Sequence, residues 1–136
     1  MEADCPFCEI AAGEGDAAEV HRTDDAVAFL DANPAVDGHT LVIPTSHCEE
    51  ISIASEPTRQ AVFDAVGHVS AALEQALDPD GFSVFHTSGP LVGRIDHAHV
   101  HILPRSGDDG VSLSLERDSL EGEQAETLAA RIRSNS

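Results

Sequence analysis

The sequence predicts an α+β domain: a mostly antiparallel sheet of short strands, one long helix laid over it, and a short helix near the N-terminus. Three observations carry this. The stretch Pro57 to Leu77 repeats apolar residues at spacings of three and four, the signature of a helix with one buried face. Several short apolar runs are separated by polar or glycine-containing turns, which favour hairpins over parallel crossovers. The chain has 136 residues, enough for one modest core and one domain.

Taken in order, Phe7 to Ala12 reads as a short helix broken by Gly13 and Gly15. Glu19 to His21 and Ala26 to Leu30 read as strands joined by the polar turn Arg22-Thr23-Asp24-Asp25. Asn33-Pro34 and Asp37-Gly38 mark turns. His39 to Pro44 is a strand rich in β-branched residues and ended by proline. The long helix starts at Pro57, suited to a first helical turn, with Ser55 or Glu56 as its cap, and Asp78-Pro79-Asp80-Gly81 stops it. Phe82 to Phe85 is a strand, Thr87 to Gly93 a loop, and Asp96 to Leu103 the last strand of the core. A tail helix around Glu123 to Arg133 carries the stripe Ala125, Leu128, Ala129 and Ile132. The expected division is a domain over 1–106 and a C-terminal extension over 107–136, its helix packed on that domain.

Composition narrows the function classes. Against 25 Asp and Glu stand 7 cations, all of them Arg, for a net charge of −18. Such self-repulsion suits concentrated salt, where a Debye length of about 3 Å at 1 M screens it, and the expected source is a halophilic archaeon. Nucleic acid is excluded as a general partner, because phosphate backbones need clustered cations. No apolar run approaches the ~20 residues that span a bilayer, and the opening Met1-Glu2-Ala3-Asp4 leads into no secretory segment. The expectation is a cytoplasmic protein with reduced cysteines.

The chemistry concentrates in His97-Ala98-His99-Val100-His101. Alternation along a strand aims the three histidines at one face, roughly 6.6 Å apart along the chain, and turns Ala98, Val100 and Ile102 into the core. A neutral imidazole in such a row can attack phosphorus and form a phosphoryl-histidine, while its neighbours fix its tautomer and donate to phosphate oxygens. The same row could instead chelate zinc, and the run alone leaves both readings open. Cys5 and Cys8 form a C-x-x-C pair that supplies two of the four ligands tetrahedral zinc requires.

The wider context resembles a known family. His97 to Arg105, HAHVHILPR, is similar to the signature of the histidine triad (HIT) superfamily, His-φ-His-φ-His-φ-φ with a following Pro-Arg. Phe29-Leu30-Asp31-Ala32-Asn33-Pro34 and Gly38 to Pro44 ending in His47 agree in order and spacing, and Cys5-Pro6-Phe7-Cys8-Glu9-Ile10 looks like the zinc-bearing opening of many prokaryotic members. The resemblance spans about residues 5 to 106 and is nearest the Hint branch of nucleoside phosphoramidate hydrolases, with Fhit-like dinucleoside polyphosphate hydrolases next. It implies a HIT-like fold and a homodimer that binds a purine nucleoside 5'-phosphate. His99 would be the nucleophile, with His101 and His39 supporting it. Asp31 would hold the ribose hydroxyls, and Phe7, Phe29 and Leu30 would line the base pocket. Structural zinc would take Cys5, Cys8, His47 and His97. Many members carry Gln and a hydroxyl residue before the triad; here that loop is one residue shorter. Arg94 takes the Gln position, and Thr87 and Ser88 stand where asparagines are common. Thr87, Ser88 and Arg94 are the expected phosphate contacts. A nucleotide-binding protein with vestigial hydrolysis, and a catalytic metal at the triad, remain as alternatives. His86 and Glu50 read as ordinary surface positions.

Overall fold

The computed structural model describes residues 5–89 and 96–136. A five-stranded antiparallel sheet is built from β1 (Glu19–Arg22), β2 (Ala26–Leu30), β3 (Thr40–Pro44), β4 (Gly81–Phe85) and β5 (Val100–Arg105), in the order β1-β2-β3-β5-β4. The helices are α1 (Pro6–Ala11), α2 (Glu56–Leu77) and α3 (Gly122–Arg133), with a 3-10 turn over Ile51–Ile53. The α+β fold with its antiparallel sheet, long helix and short N-terminal helix is as the periodicity predicts.

Alternation divides the sheet into two buried faces. On one, Ala26, Ala28, Val42, Val100 and Ile102 meet Val62, Ala65, Val66 and Val69 of α2. On the other, Val27, Phe29, Leu41 and Ile43 meet Cys5, Phe7 and Cys8 of the N-terminal segment. Both faces of the central strands are therefore dry, and all five residues of β3 are buried. The second face extends past the strand ends to Asp31, His39 and the triad, which places the chemistry beside the N-terminal segment.

Local signals set the boundaries. The Ser55 hydroxyl accepts from the Thr58 N–H and caps α2, and Asp78, at φ 49°, closes it in the left-handed region. Gly38, at φ 87°, makes the turn that delivers His39 to the start of β3. The last strand begins at Val100 and not at Asp96 as expected. Its ladder to β3 runs from Thr40↔Ile102 to Val42↔Val100. Two residues beyond Val42, Pro44 has no N–H to donate, and its carbonyl accepts from His97 Nε2. The backbone N–H of Ala98 goes instead to the Cys48 carbonyl, at 2.6 Å. The alternation of faces survives this break: Ala98 is buried in the α2 core with Val100 and Ile102.

The tail leaves the domain. Arg105 pairs with Asp109 at 2.6 Å and donates to the Val111 carbonyl, fixing the exit. The expected packing of α3 on the domain is not found within the chain: none of its residues is buried, and it touches no other element among the described residues. The extended stretch before it carries its apolar stripe away from the core.

Candidate active site and metal centre

The triad segment serves two neighbouring sites. His97, fully buried, turns to the N-terminal thiols. Its Nδ1 lies 3.4 Å from the sulfurs of both Cys5 and Cys8, and His47 Nδ1 lies 3.6 and 3.2 Å from the same two atoms. Zinc held at about 2.3 Å from sulfur and about 2.0 Å from nitrogen would separate tetrahedral S and N ligands by roughly 3.5 Å. The four side chains thus have the spacing and the chemistry of a closed S2N2 centre. His97 Nε2 donates to the Pro44 carbonyl at 2.9 Å, which leaves Nδ1 as the lone-pair nitrogen facing the thiols. Burial lowers the pKa of His97, keeping it neutral as a ligand must be. Burial, followed by the Cys8 hydrogen bond, pushes the Cys5 thiol up. A bound cation would reverse that by stabilising the thiolate. Cys48 stands apart, half-buried against the α2 core.

The second site is made by His99, His101 and His39. Hydrogen-bond direction fixes each ring. His99 Nδ1 faces the His97 carbonyl at 2.9 Å; a carbonyl only accepts, so Nδ1 carries the proton and Nε2 the lone pair. The Ala35 N–H donates to His39 Nδ1 at 3.0 Å, so the His39 proton is on Nε2. That Nε2 lies 2.9 Å from His101 Nδ1, which must accept, so the His101 proton is on Nε2. Burial, reinforced by His99 and His39, lowers the His101 pKa to about 4, and burial lowers that of His39. The site therefore offers one ring with a free lone pair next to one with a free N–H, their centroids 5.1 Å apart.

Aromatic neighbours brace the rings. Phe7 meets His99 edge-on at 5.2 Å and Phe29 at 5.5 Å. Both phenylalanines are buried, whereas Leu30 is exposed. Asp31 accepts from the Asn33 N–H with one oxygen and faces His39 Nε2 at 3.4 Å with the other. Sequence reasoning missed Phe85, which stacks on His101 at 4.6 Å and 11°. It also missed His86 and Glu50: His86 bridges the Glu50 carboxylate and the His99 carbonyl, and Ser88 gives its hydroxyl to the same carboxylate. The register Phe85↔His101 would have signalled the first, but pairing partners are not written in a single sequence. Arg94 lies outside the described residues.

Comparison with known proteins settles the lineage. The HIT domain family matches residues 12–108, which include His39, His47 and all three triad histidines. The chain belongs to the HIT domain family. It is 32% identical over 137 residues to the adenylylsulfatase HINT3 of Arabidopsis thaliana, covering 98% of this chain and 70% of that protein. It is 27% identical to the adenosine 5'-monophosphoramidase hnt1 of Schizosaccharomyces pombe, covering 96% of each. Among solved structures, a HIT family protein from Bacillus anthracis superposes with a TM-score of 0.91 at 26% identity, covering 100% of this chain and 99% of that one. A zinc-bound histidine triad family protein from Mycobacterium smegmatis superposes with a TM-score of 0.72 at 26% identity, covering 98% of each. HIT proteins bind nucleotides and include hydrolases, and the fold described above is of that kind. No helix among the described residues is long and apolar enough to cross a membrane.

Proposed function

We propose that this HIT protein hydrolyses nucleoside 5'-phosphoramidates or related adenylates through a nucleotidyl intermediate on His99. The observation that carries the reading is the direction of the hydrogen bonds, which leaves a lone pair on His99 Nε2 beside a donor on His101 Nε2. The adenylylsulfatase and monophosphoramidase relatives support the substrate class.

In this reading Nε2 attacks phosphorus and the P–N bond breaks, its electron pair leaving with the nitrogen, which takes a proton from solvent water and departs as neutral amine. His99 keeps its Nδ1 proton, and the His97 carbonyl stabilises the positive charge that develops on the ring. The His101 N–H donates to a phosphoryl oxygen, in a tautomer held by His39, whose own tautomer is held by the Ala35 N–H. Water then attacks phosphorus and releases the nucleoside monophosphate, restoring His99. Asp31 holds the ribose hydroxyls, Leu30 faces the base with Phe29 behind it, and Thr87 and Arg94 meet the phosphate, while the Ser88 hydroxyl is committed to Glu50. The decisive assay is adenosine 5'-phosphoramidate turnover by the wild type and by His99→Ala, run in molar salt. Loss of about a thousandfold or more is expected, and activity surviving the substitution defeats the reading. A dinucleoside polyphosphate turned over faster than the phosphoramidate would move the protein to the competing substrate class.

Zinc is the ion proposed for Cys5, Cys8, His47 and His97, where it would tie the N-terminal segment to the triad as a structural centre. The protein is further proposed to be a cytoplasmic homodimer from a salt-loving host, with a purine nucleotide as substrate. A chelator should lower the melting temperature, with activity following the loss of fold. Activity lost at full stability would point to a catalytic metal instead.

A further inference from the structure

The mechanism above leaves one built cluster unused, and it sits against the nucleophile's own backbone. His86, the residue after β4, has a half-buried side chain with two partners: Nε2 lies 2.7 Å from Glu50 Oε1 and Nδ1 lies 3.0 Å from the His99 carbonyl oxygen. Glu50 caps the 3-10 turn through the Ser52 N–H and also accepts from the Ser52 and Ser88 hydroxyls. Those bonds, Ser88 first, hold its pKa down to about 2, so the carboxylate is ionised and only accepts. A carbonyl also only accepts. Both ring nitrogens of His86 therefore face acceptors, and the side chain spans the two.

The location gives this bridge its meaning. His99 lies one residue before β5 begins, outside the ladder. The β4 register ends at Phe85↔His101 and the β3 register at Val42↔Val100, so among the described residues no strand partner pairs with His99. A side chain takes over the bond that the ladder would have supplied. We propose that His86 is a positioning residue for His99: anchored by Glu50, it fixes the peptide that carries the nucleophile, and through the same carboxylate it fixes Ser88 at a set distance from that peptide. The orientation of the His99 ring depends on this, because its Nδ1–H bond runs to the carbonyl of His97, within the same short non-ladder segment. Movement of about 1 Å in a reacting group costs on the order of a hundredfold in rate, so a clamp on a segment outside the sheet acts on kcat.

The inference rests on the His99 reading, and the test separates the two. His86→Ala and Glu50→Gln are compared with wild type by steady-state turnover of adenosine 5'-phosphoramidate and by ring-nitrogen NMR of His99 in the full chain. The expected result is kcat lowered by about tenfold or more in each variant with KM changed by less than about twofold. The double variant should fall no further than the worse single one, because the two residues act as one unit. In the NMR spectrum, wild-type His99 should be protonated at Nδ1, and both variants should show mixed tautomers. A wild type without turnover sinks the phosphoramidase reading, and the His99 spectrum then decides the clamp alone. Unchanged kcat and an unchanged His99 ring spectrum in both variants, or a melting temperature that falls while both are retained, overturns the proposal.

Discussion

Protonation at single nitrogens governs what the site can do, and it is set by which backbone groups face each ring. Neutral His101 and His39 keep the donor chain running, and this neutrality has a stability consequence. In the unfolded chain His101 titrates near 6.5, and in the folded one near 4. Between these values the unfolded state binds the extra proton, so stability falls as pH drops from about 6.5 toward 4 and levels off below. Thermal melts across that range check it; a flat profile would show that the ring is not buried as described. His39, His47, His97, His99 and His101 could be singled out in the sequence because their types and spacing are rare, and the structure gathers them into the two clusters described. Phe85, His86 and Glu50 were illegible for the opposite reason. A phenylalanine, a lone histidine and an acidic residue have bland uses everywhere, and only strand register and loop path bring them together.

Elements succeed or fail as their partners allow. The long helix and the strands over 26–30 and 40–44 were legible because burial imposes a strict period on them. The start of β5 was not, because it depends on a proline in another strand and on a carbonyl at Cys48. The 3-10 turn over Ile51–Ile53 likewise answers to Glu50 and carries no periodic signal. The Gly38 turn is the most exposed to a single change. Its φ of 87° disfavours any side chain, and a Cβ there would come within 2.7 Å of Leu77 Cδ1 and 3.1 Å of Pro104 Cγ. Gly38→Ala should cost about 1–3 kcal/mol in a denaturant titration and lower turnover by displacing His39. The tail helix was legible as a helix but not in its placement, since an apolar stripe does not say what covers it.

At the scale of the molecule, charge is the dominant feature. A net −18 on a 14.3 kDa chain makes folding a contest between a small dry core and mutual repulsion of the surface. Adding molar KCl should raise the melting temperature by many degrees, and calorimetry in dilute and concentrated salt measures it. A melting point indifferent to salt would remove the basis for a high-salt habitat. The exposed Leu113, Leu115, Leu120 and Ile132 of the tail leave apolar surface uncovered in one chain. For the homodimer proposed above, light scattering should return twice the 14.3 kDa of a single chain.

The short N-terminal turn does two jobs at once: it brings two thiols to His97 and sets Phe7 edge-on behind His99. Oxidising those sulfurs would unfasten the aromatic backing from the His99 ring without touching His39 or His101. For the hydrolysis proposed above, the rate would then fall as the thiols oxidise, although no electron passes through that reaction itself.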